Sequence, residues 1–522
     1  MSQIYIARWL SFFVGFLSLS QEIIWVRLLN FKLRGMPQAF SFVLSFFLVG
    51  IALGAHLGKK VCHRTNLINI TILLILISAV LDICLPKFLS MTMLISAQRN
   101  YMPYEIINLA SIAFFITISA GIKAAIFPIA HHLGSDINSK NLGKSISYVY
   151  FANIFGSTLG PIITGFYILD NISTESLFTA LGISELILAI SIMACHINKK
   201  FLFFLPFCLF SLSSINLHET KLISTIADKL DINKITNIIE NKYGIIHTLN
   251  PSEDLQFIFG GNMYDGQNNL DLFKDTNLIS RLYILGAVHQ NPEKILVIGL
   301  SGGAWTKVLS SFPNTKEIDV VEINPGYIDL IKKDPKISTI LNDGRIKIHI
   351  DDGRRWLKRN PSKKFDLIVM NSTFHWRTNS TNLLSLEFNA LIKKHLNIQG
   401  IFAYNGTHSI DAFYTTSKSF PFAFRYLGFI YASDYDFSKI SSSIFVDRMS
   451  KLSWPETKEQ IFKNKNTQLQ RKYKDFIFTK IEDDALESKR KPEIVTDANM
   501  ITEFKYGLLN QMIFKVKLNA EQ

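Results

Sequence analysis

Apolar positions along this chain change their pattern once, near residue 217. Before that point they come in long runs; after it they come in bursts of a few residues, separated by polar turns. A bilayer is crossed by about 17–25 mostly apolar residues. Segments 6–26, 39–57, 68–85, 107–130, 146–169 and 177–195 meet that length, and 201–217 is a marginal seventh, short and interrupted by Pro206. The reading is a multi-span membrane domain over 1–217, with six or seven helices, and a connector over 218–240. A domain of soluble composition follows over 241–440, and then a charged extension over 441–522.

In the second half the period is that of strands and helices in turn. Residues 243–249 and 255–260 read as a β-hairpin, and 260–266 as a glycine-bounded turn after it. A helix is predicted over 277–288. Ile295-Leu296-Val297-Ile298 is a β-branched apolar run that passes directly into Gly299-Leu300-Ser301-Gly302-Gly303, after which Trp305, Val308 and Leu309 fall on helical spacing. Further strands are predicted at 317–321, 346–350, 365–370 and 400–405, ending on or beside Glu322, Asp351-Asp352-Gly353, Asn371 and Asn405. Helices are predicted over 383–396 and 420–427 and a strand over 429–432. From about 451 the chain is charged and reads as a helical or partly disordered tail. Strands alternating with helices imply a parallel sheet with crossover helices. The fold class expected is therefore an α-helical transmembrane bundle followed by an α/β Rossmann-like domain with a small N-terminal β-hairpin subdomain.

Charge changes this picture only slightly. The net charge is +13, and residues 1–218 carry 14 Lys and Arg against 7 Asp and Glu. In a membrane domain such an excess reads as loop charge facing anionic lipid. No basic stripe with interleaved aromatics is present, so nucleic acid is not an expected partner. The connections after the first two spans each carry three basic residues, Arg27, Lys32 and Arg34, then Lys59, Lys60 and Arg64; the balance weakly favours a cytoplasmic N-terminus, with segments 59–64, 140–144 and 199–200 inside. Six spans then leave the C-terminal domain in the cytoplasm, and seven put it outside. The first apolar stretch runs on to Leu29 without a small-residue cleavage site, so no cleaved signal peptide is expected. The four cysteines, Cys62, Cys84, Cys195 and Cys208, have no paired spacing, and neither a disulfide framework nor a metal site is expected.

Ionisable residues inside spans are costly and mark either structural pairs or function. Glu22, Asp82, Lys123 and Glu185 qualify; Glu22 and Lys123, the deepest by sequence, are candidates for a pair. Gly50, Ala52, Gly54 and Gly58 in the second span, and Gly156, Gly160 and Gly165 in the fifth, predict close helix packing.

The candidate chemistry lies at the strand ends, where open parallel sheets bind ligands. Gly299, Ser301, Gly302 and Gly303 let backbone approach a ligand and open a helix whose N-terminus favours polar or negative groups. Glu322, 19 residues after Gly303, stands where an acid accepts hydrogen bonds from ribose hydroxyls. Asp352, followed by Gly353, can take an adenine amino group. Three consecutive strand ends of this kind make a nucleoside site. The Gly-Lys-Ser/Thr phosphate loop is absent, which disfavours phosphoryl transfer from ATP.

These residues carry a resemblance. Residues 241–432 resemble the spermidine synthase (polyamine aminopropyltransferase) family, a branch of the class I methyltransferase-like fold. The hairpin and 261–266 resemble its N-terminal strands and gating turn. The segment 295–303 resembles its nucleoside loop, one residue shorter. Glu322 and Asp352-Gly353 match its ribose and adenine acids, and 365–372 matches the strand and loop that carry its catalytic aspartate. The layout, with Gln21-Glu22, Trp25-Val26-Arg27-Leu28-Leu29 and 47–58 in the first two spans, resembles the bacterial membrane-fused members.

The resemblance implies S-adenosylmethionine or its decarboxylated form as donor, a bacterial inner membrane, and a homo-oligomer through the soluble domain. The family's catalytic acid is Asn371 here, and a second acid is Phe374. An amide accepts no proton near neutral pH, so polyamine synthesis itself is not expected. His375 in the same loop is a candidate general base. Arg377 is a candidate anion grip, and Trp376 a stacking or membrane-interface residue. Two readings follow. One is a membrane-anchored transferase moving a methyl or aminopropyl group to a small-molecule or lipid-like acceptor. The other is a non-catalytic nucleoside or polyamine sensor fused to a transporter-like membrane domain.

Overall fold

The computed structural model describes residues 3–97, 102–135, 142–195, 222–227, 235–252, 254–371, 374–474, 476–481 and 490–508. The chain divides into two compact units. One comprises residues 1–34, 38–235 and 239–245; the other comprises 35–37, 236–238 and 246–522.

The first unit is a bundle of long apolar helices: α1 (Gln3–Lys32), α2 (Gln38–Val61), α3 (Leu67–Ala97), α4 (Met102–Gly134), α5 (Leu142–Phe166) and α6 (Thr174–Cys195). All six contain a segment long and apolar enough to cross a membrane. The marginal seventh span, 201–217, lies outside the described residues. Helix α2 packs on α4, α1 on α5 and α3 on α6. Glycines set two of these contacts. A Cβ at Gly54 would run into the Gly121 carbonyl, and one at Gly156 into the Phe12 carbonyl. Backbones approach this closely only where no side chain intervenes. Gly165, by contrast, faces open space. The short helix α7 (Leu222–Ile226) is buried against the same apolar core as Trp25, Leu28 and Phe178.

One pairing differs from the sequence reading. Lys123 meets Asp82 at 2.8 Å and Glu185 at 3.0 Å, not Glu22. Helix α3 contacts both α4 and α6, which brings the Asp82 turn to both partners. Glu22 sits half-buried on another face of α1, where Gln21 takes the inward position.

Next along the chain is a small four-stranded antiparallel sheet in the order β1 (Ile235–Asn241), β2 (Gly244–Ser252), β3 (Leu255–Gly260), β4 (Met263–Gln267). The hairpin of β2 and β3 is as read from sequence. The expected turn over 260–266 is corrected: the turn takes only Gly261 and Asn262, both at positive φ, and Met263 onward is a strand paired with β3.

Helix α8 (Ser280–Val288) leads into the main sheet. Its central strands are β5 (Lys294–Ile298), β6 (Glu317–Glu322), β7 (Ile346–Ile350), β8 (Phe365–Met370) and β9 (Leu396–Asn405). Between them lie α9 (Ala304–Ser310), α10 (Gly326–Ile331), α11 (Gly353–Arg359) and α12 (Leu386–His395). After α13 (Ile410–Ser419) come β10 (Phe422–Tyr426) and β11 (Phe429–Ser433). With a short edge strand β12 (Thr479–Lys480), the eight-stranded order is β12-β10-β11-β9-β8-β5-β6-β7, with β5 to β9 parallel. The chain steps outward from β5 to β7, then returns to β8 on the other side of β5. The switch point therefore lies between β5 and β8, where ligands of open α/β sheets bind.

The predicted helix over 420–427 is corrected to strand β10. Phe420, Phe422, Phe424 and Tyr426 alternate, a strand period rather than a helical one. Leu427 and Gly428, both at positive φ, form the two-residue turn that pairs β10 with β11. Leu296, Ile298, Val321, Ile368, Met370, Phe402 and Tyr404 form the core of the sheet, each contributing about 1.5–3 kcal/mol by burial.

Where it is described, the charged extension belongs to this fold. It forms α14 (Ser442–Ser450), α15 (Asn466–Tyr473) and the edge strand β12 (Thr479–Lys480). Val495 and Ile501 enter the core, and Glu456 pairs with buried Lys307. Arg490 grips buried Asp411 with two bonds, at 2.9 and 2.5 Å.

Candidate functional site

The segment after β5 turns sharply because Gly299, Ser301 and Gly303 all take positive φ, at 88°, 48° and 79°. Glycine tolerates that region at no steric cost. Gly299 has a second reason to lack a side chain: a Cβ there would meet the Asn371 carbonyl at 2.7 Å. The turn ends at the first residues of α9, so its amides face the strand ends.

Glu322 closes the turn from the neighbouring strand. One carboxylate oxygen accepts from the Leu300 amide at 2.7 Å and the other from the Asn324 amide at 2.8 Å. The side chain is buried. Burial raises its pKa to about 7 against the lowering effect of these amides, and nearby Asp265 adds to the rise. Glu322 is therefore an acid poised between its two protonation states near neutral pH, with lone pairs on both oxygens for further donors.

Asp352 stands beside this acid through the backbone. The Asp351 amide donates to the Glu322 carbonyl at 3.1 Å. The Asp352 carboxylate caps α11, accepting from the Arg355 amide at 2.7 Å. Gly353 seats the start of that helix against Ile298, whose methyl lies 2.6 Å from where its Cβ would be.

Asp265 and Tyr327 also stand at the turn; neither was singled out from sequence. The Ser301 hydroxyl donates to the Asp265 carbonyl at 3.1 Å, and the Tyr327 hydroxyl donates to the Asp265 carboxylate at 2.6 Å. Burial pushes the Asp265 carboxyl up, opposed by these hydroxyls and by Arg377. Burial likewise pushes Arg377 down while Tyr327 and Asp265 hold its charge. The Arg377 guanidinium lies against Gly261, where a Cβ would strike it. Asp265 is thus an internal anion within electrostatic reach of Arg377. Residues of β4, the glycine turn, α10 and the 371–377 loop converge here.

Asn371 lies at the end of β8 with its amide N–H donating to the Ile298 carbonyl at 2.9 Å, directly across from Gly299. Residues 372 and 373 are outside the described set. His375 is turned toward the loop after β9. Its Nδ1 lies 2.9 Å from the Thr407 hydroxyl and 3.2 Å from the Thr407 carbonyl, and its amide donates to the same hydroxyl at 3.1 Å. Burial takes its pKa down to about 4. The ring is therefore neutral at physiological pH, with Nδ1 committed to Thr407. Trp376 is buried and packs on Phe374, ring centroids 5.8 Å apart. The structure places Gly299, Ser301, Gly302 and Gly303 after β5, Glu322 at the end of β6, Asp352 and Gly353 after β7, and Asn371 after β8. The described hydrogen bonds of the His375 ring and backbone amide run to Thr407, with none to Asn371.

Residues 282–416 match the family model described as a spermine/spermidine synthase domain. A polyamine aminopropyltransferase of Streptococcus uberis is 34% identical over 119 residues, which is 23% of this chain and 41% of that protein. Polyamine aminopropyltransferase 2 of Aquifex aeolicus is 21% identical over 408 residues, covering 77% of this chain and 78% of that one. The crystal structure of spermidine synthase from Thermotoga maritima aligns with 45% of this chain and 83% of its own, at 17% identity and a TM-score of 0.35. The chain spans about two-fifths of the S. uberis relative it matches. The C-terminal half carries a spermine/spermidine synthase domain, behind six long apolar helices, and polyamine aminopropyltransferases are its homologues.

Proposed function

We propose that this chain is a multi-pass protein of a bacterial cell membrane whose C-terminal domain binds S-adenosylmethionine or its decarboxylated form and transfers a methyl or aminopropyl group. The observation that carries this reading is Glu322. It is buried at the tip of β6, held by the Leu300 and Asn324 amides beside a turn with three positive-φ residues. An acid so placed accepts from ribose hydroxyls, while Asp352 at the next strand end faces the base.

Transfer from such a donor is in-line. A lone pair on the acceptor forms a bond to the sulfonium-bound carbon, the carbon–sulfur pair returns to sulfur, and the acceptor loses a proton. Positioning supplies most of the acceleration. The proton acceptor of an aminopropyltransferase is a carboxylate, and Asn371 offers none. With Phe374 at the second position, the loop lacks the negative charge that attracts a diamine. The reading therefore favours a small-molecule or lipid-like acceptor that needs no strong base.

A second reading is supported by the same Asn371: a nucleoside or polyamine sensor without turnover, attached to a transporter-like bundle. Calorimetric titration of the full-length protein in detergent separates the two. S-adenosylmethionine, its decarboxylated form and methylthioadenosine are each titrated, with Asp352→Ala as control. Binding lost in the variant supports the nucleoside site. Turnover to methylthioadenosine or the demethylated product selects the transferase, and binding without turnover selects the sensor. A folded protein that binds none of the three overturns both.

A further inference from the structure

We infer that the helical bundle contains a proton-binding site at Glu185, in which a buried ammonium is shared by two carboxylates and one carboxylate oxygen is left to a proton. The inference is independent of the transferase reading.

The groups come from four helices. Lys123 of α4 is 2% exposed and uses its three N–H bonds on Asp82 at 2.8 Å, Ser78 at 2.9 Å and Glu185 at 3.0 Å. Asp82 of α3 is saturated from both sides: Gln21 of α1 donates to its other oxygen at 2.6 Å. Gln21 is fixed in turn by the Ser119 hydroxyl, which donates to its carbonyl at 2.6 Å. Glu185 of α6 is 3% exposed. Its Oε1 accepts from Ser78 at 3.1 Å as well as from Lys123, whereas its Oε2 is buried with no hydrogen-bond partner among the described residues.

The count of charges then decides. One ammonium balances one carboxylate, and the second leaves a net negative charge inside an apolar bundle. An uncompensated buried charge costs several kcal/mol. Among the described residues, the groups packed on Glu185 offer no further cation: α3 presents Ser78 and Asp82, α4 presents Lys123, and α1 presents Val14 and Leu17. Asp82 already receives a donor on each oxygen, so Glu185 Oε2 is the atom on which a proton removes the excess charge. A carboxyl O–H needs an acceptor of its own. Glu185, Lys123 and Ser78 line a cavity of about 10 Å³, closed by Val14, Leu17, Ile75, Ile126 and Leu188. That is near the minimum for one water molecule, which can accept from Glu185 and pass the proton on. Binding is Glu185–COO⁻ + H⁺ → Glu185–COOH, with no other reactant.

The test is infrared difference spectroscopy of the full-length protein in lipid nanodiscs at about pH 7, where exposed carboxyls are ionised. The wild-type minus Glu185→Gln spectrum isolates this group from Glu322 and Asp265. We expect it to contain one protonated-carboxyl band that shifts on exchange into heavy water. Ser78→Ala moves the frequency of that band, because it removes a donor to Glu185. Asp82→Asn abolishes the band, because Lys123 and Glu185 then balance. The band persists when sodium replaces choline at fixed pH. A difference spectrum containing an ionised-carboxylate band instead overturns the proposal, as does displacement of the carboxyl band by sodium, which would make this a metal-cation site. Should Glu185→Gln fail to fold, the Ser78→Ala and Asp82→Asn spectra decide alone: an unchanged band in both overturns it.

Discussion

Nucleoside binding at the glycine turn should release a proton, and Glu322 fixes how much affinity that costs. In the free protein burial raises its pKa to about 7. Both of its oxygens already accept backbone amides, from Leu300 and Asn324. Ribose hydroxyls arriving as donors need the remaining lone pairs, and a proton on the carboxyl occupies one of them. The ligand therefore prefers the ionised form. The sign follows: below the free-protein pKa the carboxyl must lose its proton to bind, so affinity falls as pH falls.

With a pKa near 7, about ten of every eleven Glu322 side chains are protonated at pH 6 and about one in eleven at pH 8. The dissociation constant should be about tenfold weaker at pH 6 than at pH 8, or about 1.4 kcal/mol. Methylthioadenosine is the ligand of choice because it does not itself titrate in this window. Calorimetry at pH 6 in two buffers of different ionisation enthalpy should count about 0.9 protons released per ligand. Glu322→Gln keeps the side chain's shape but removes the charge-assisted bonds, each worth about 1.5–3 kcal/mol. It should bind about 10- to 150-fold more weakly and lose the pH dependence. Because Asp265 remains in that variant, a surviving pH dependence would place the titrating group at Asp265. Equal wild-type affinity at pH 6 and pH 8 would refute the coupling altogether.

Other expectations can be checked directly. In Gly54→Leu the new side chain meets the Gly121 carbonyl, so the bundle should lose about 1–3 kcal/mol or more; thermal unfolding in detergent should show an earlier transition, while Gly165→Leu, which faces open space, should not. Arg490→Ala strips buried Asp411 of its two-point partner and should destabilise the second unit by about 3–5 kcal/mol; urea unfolding followed by tryptophan fluorescence measures it, and a change under 1 kcal/mol would mean that the extension is not anchored there. Asn371→Asp restores a proton acceptor at the end of β8. With decarboxylated donor and a diamine, methylthioadenosine release should rise by about 10² or more; no rise above the wild type would show that Asn371 is not what blocks diamine chemistry.

Much of this fold was legible because its signals are local. The strands at 295–298, 317–321, 346–350 and 365–370 announce themselves as β-branched runs ending in polar residues, and all lie within β5 to β8. The six membrane-length helices follow from run length alone. Local signals misled where two periods competed. The segment 420–427 has the composition of an amphipathic helix, but its aromatics alternate and its Leu-Gly turn closes a hairpin. Charged residues spaced through 451–508 hid the apolar positions Val495 and Ile501 that join the core.

Contacts between distant segments were the least legible, and the site depends on them. Asp265 and Tyr327 are 62 positions apart, on β4 and α10; Asp265 sits unremarked inside the 261–266 segment and Tyr327 lies in no motif, and their contact at 2.6 Å is made only in the fold. The same holds in the bundle. Sequence marks Asp82, Lys123 and Glu185 as costly in hydrocarbon, yet which carboxylate meets the lysine depends on which helices are neighbours. Because α3 lies against both α4 and α6, one lysine serves two acids. In the second unit too, Glu322 and Asp265 are carboxyls that burial holds closer to neutrality than water would. In both units the groups open to a ligand or a proton are buried acids: Glu185 has one oxygen without a partner among the described residues, and Glu322 has one amide on each oxygen with lone pairs to spare.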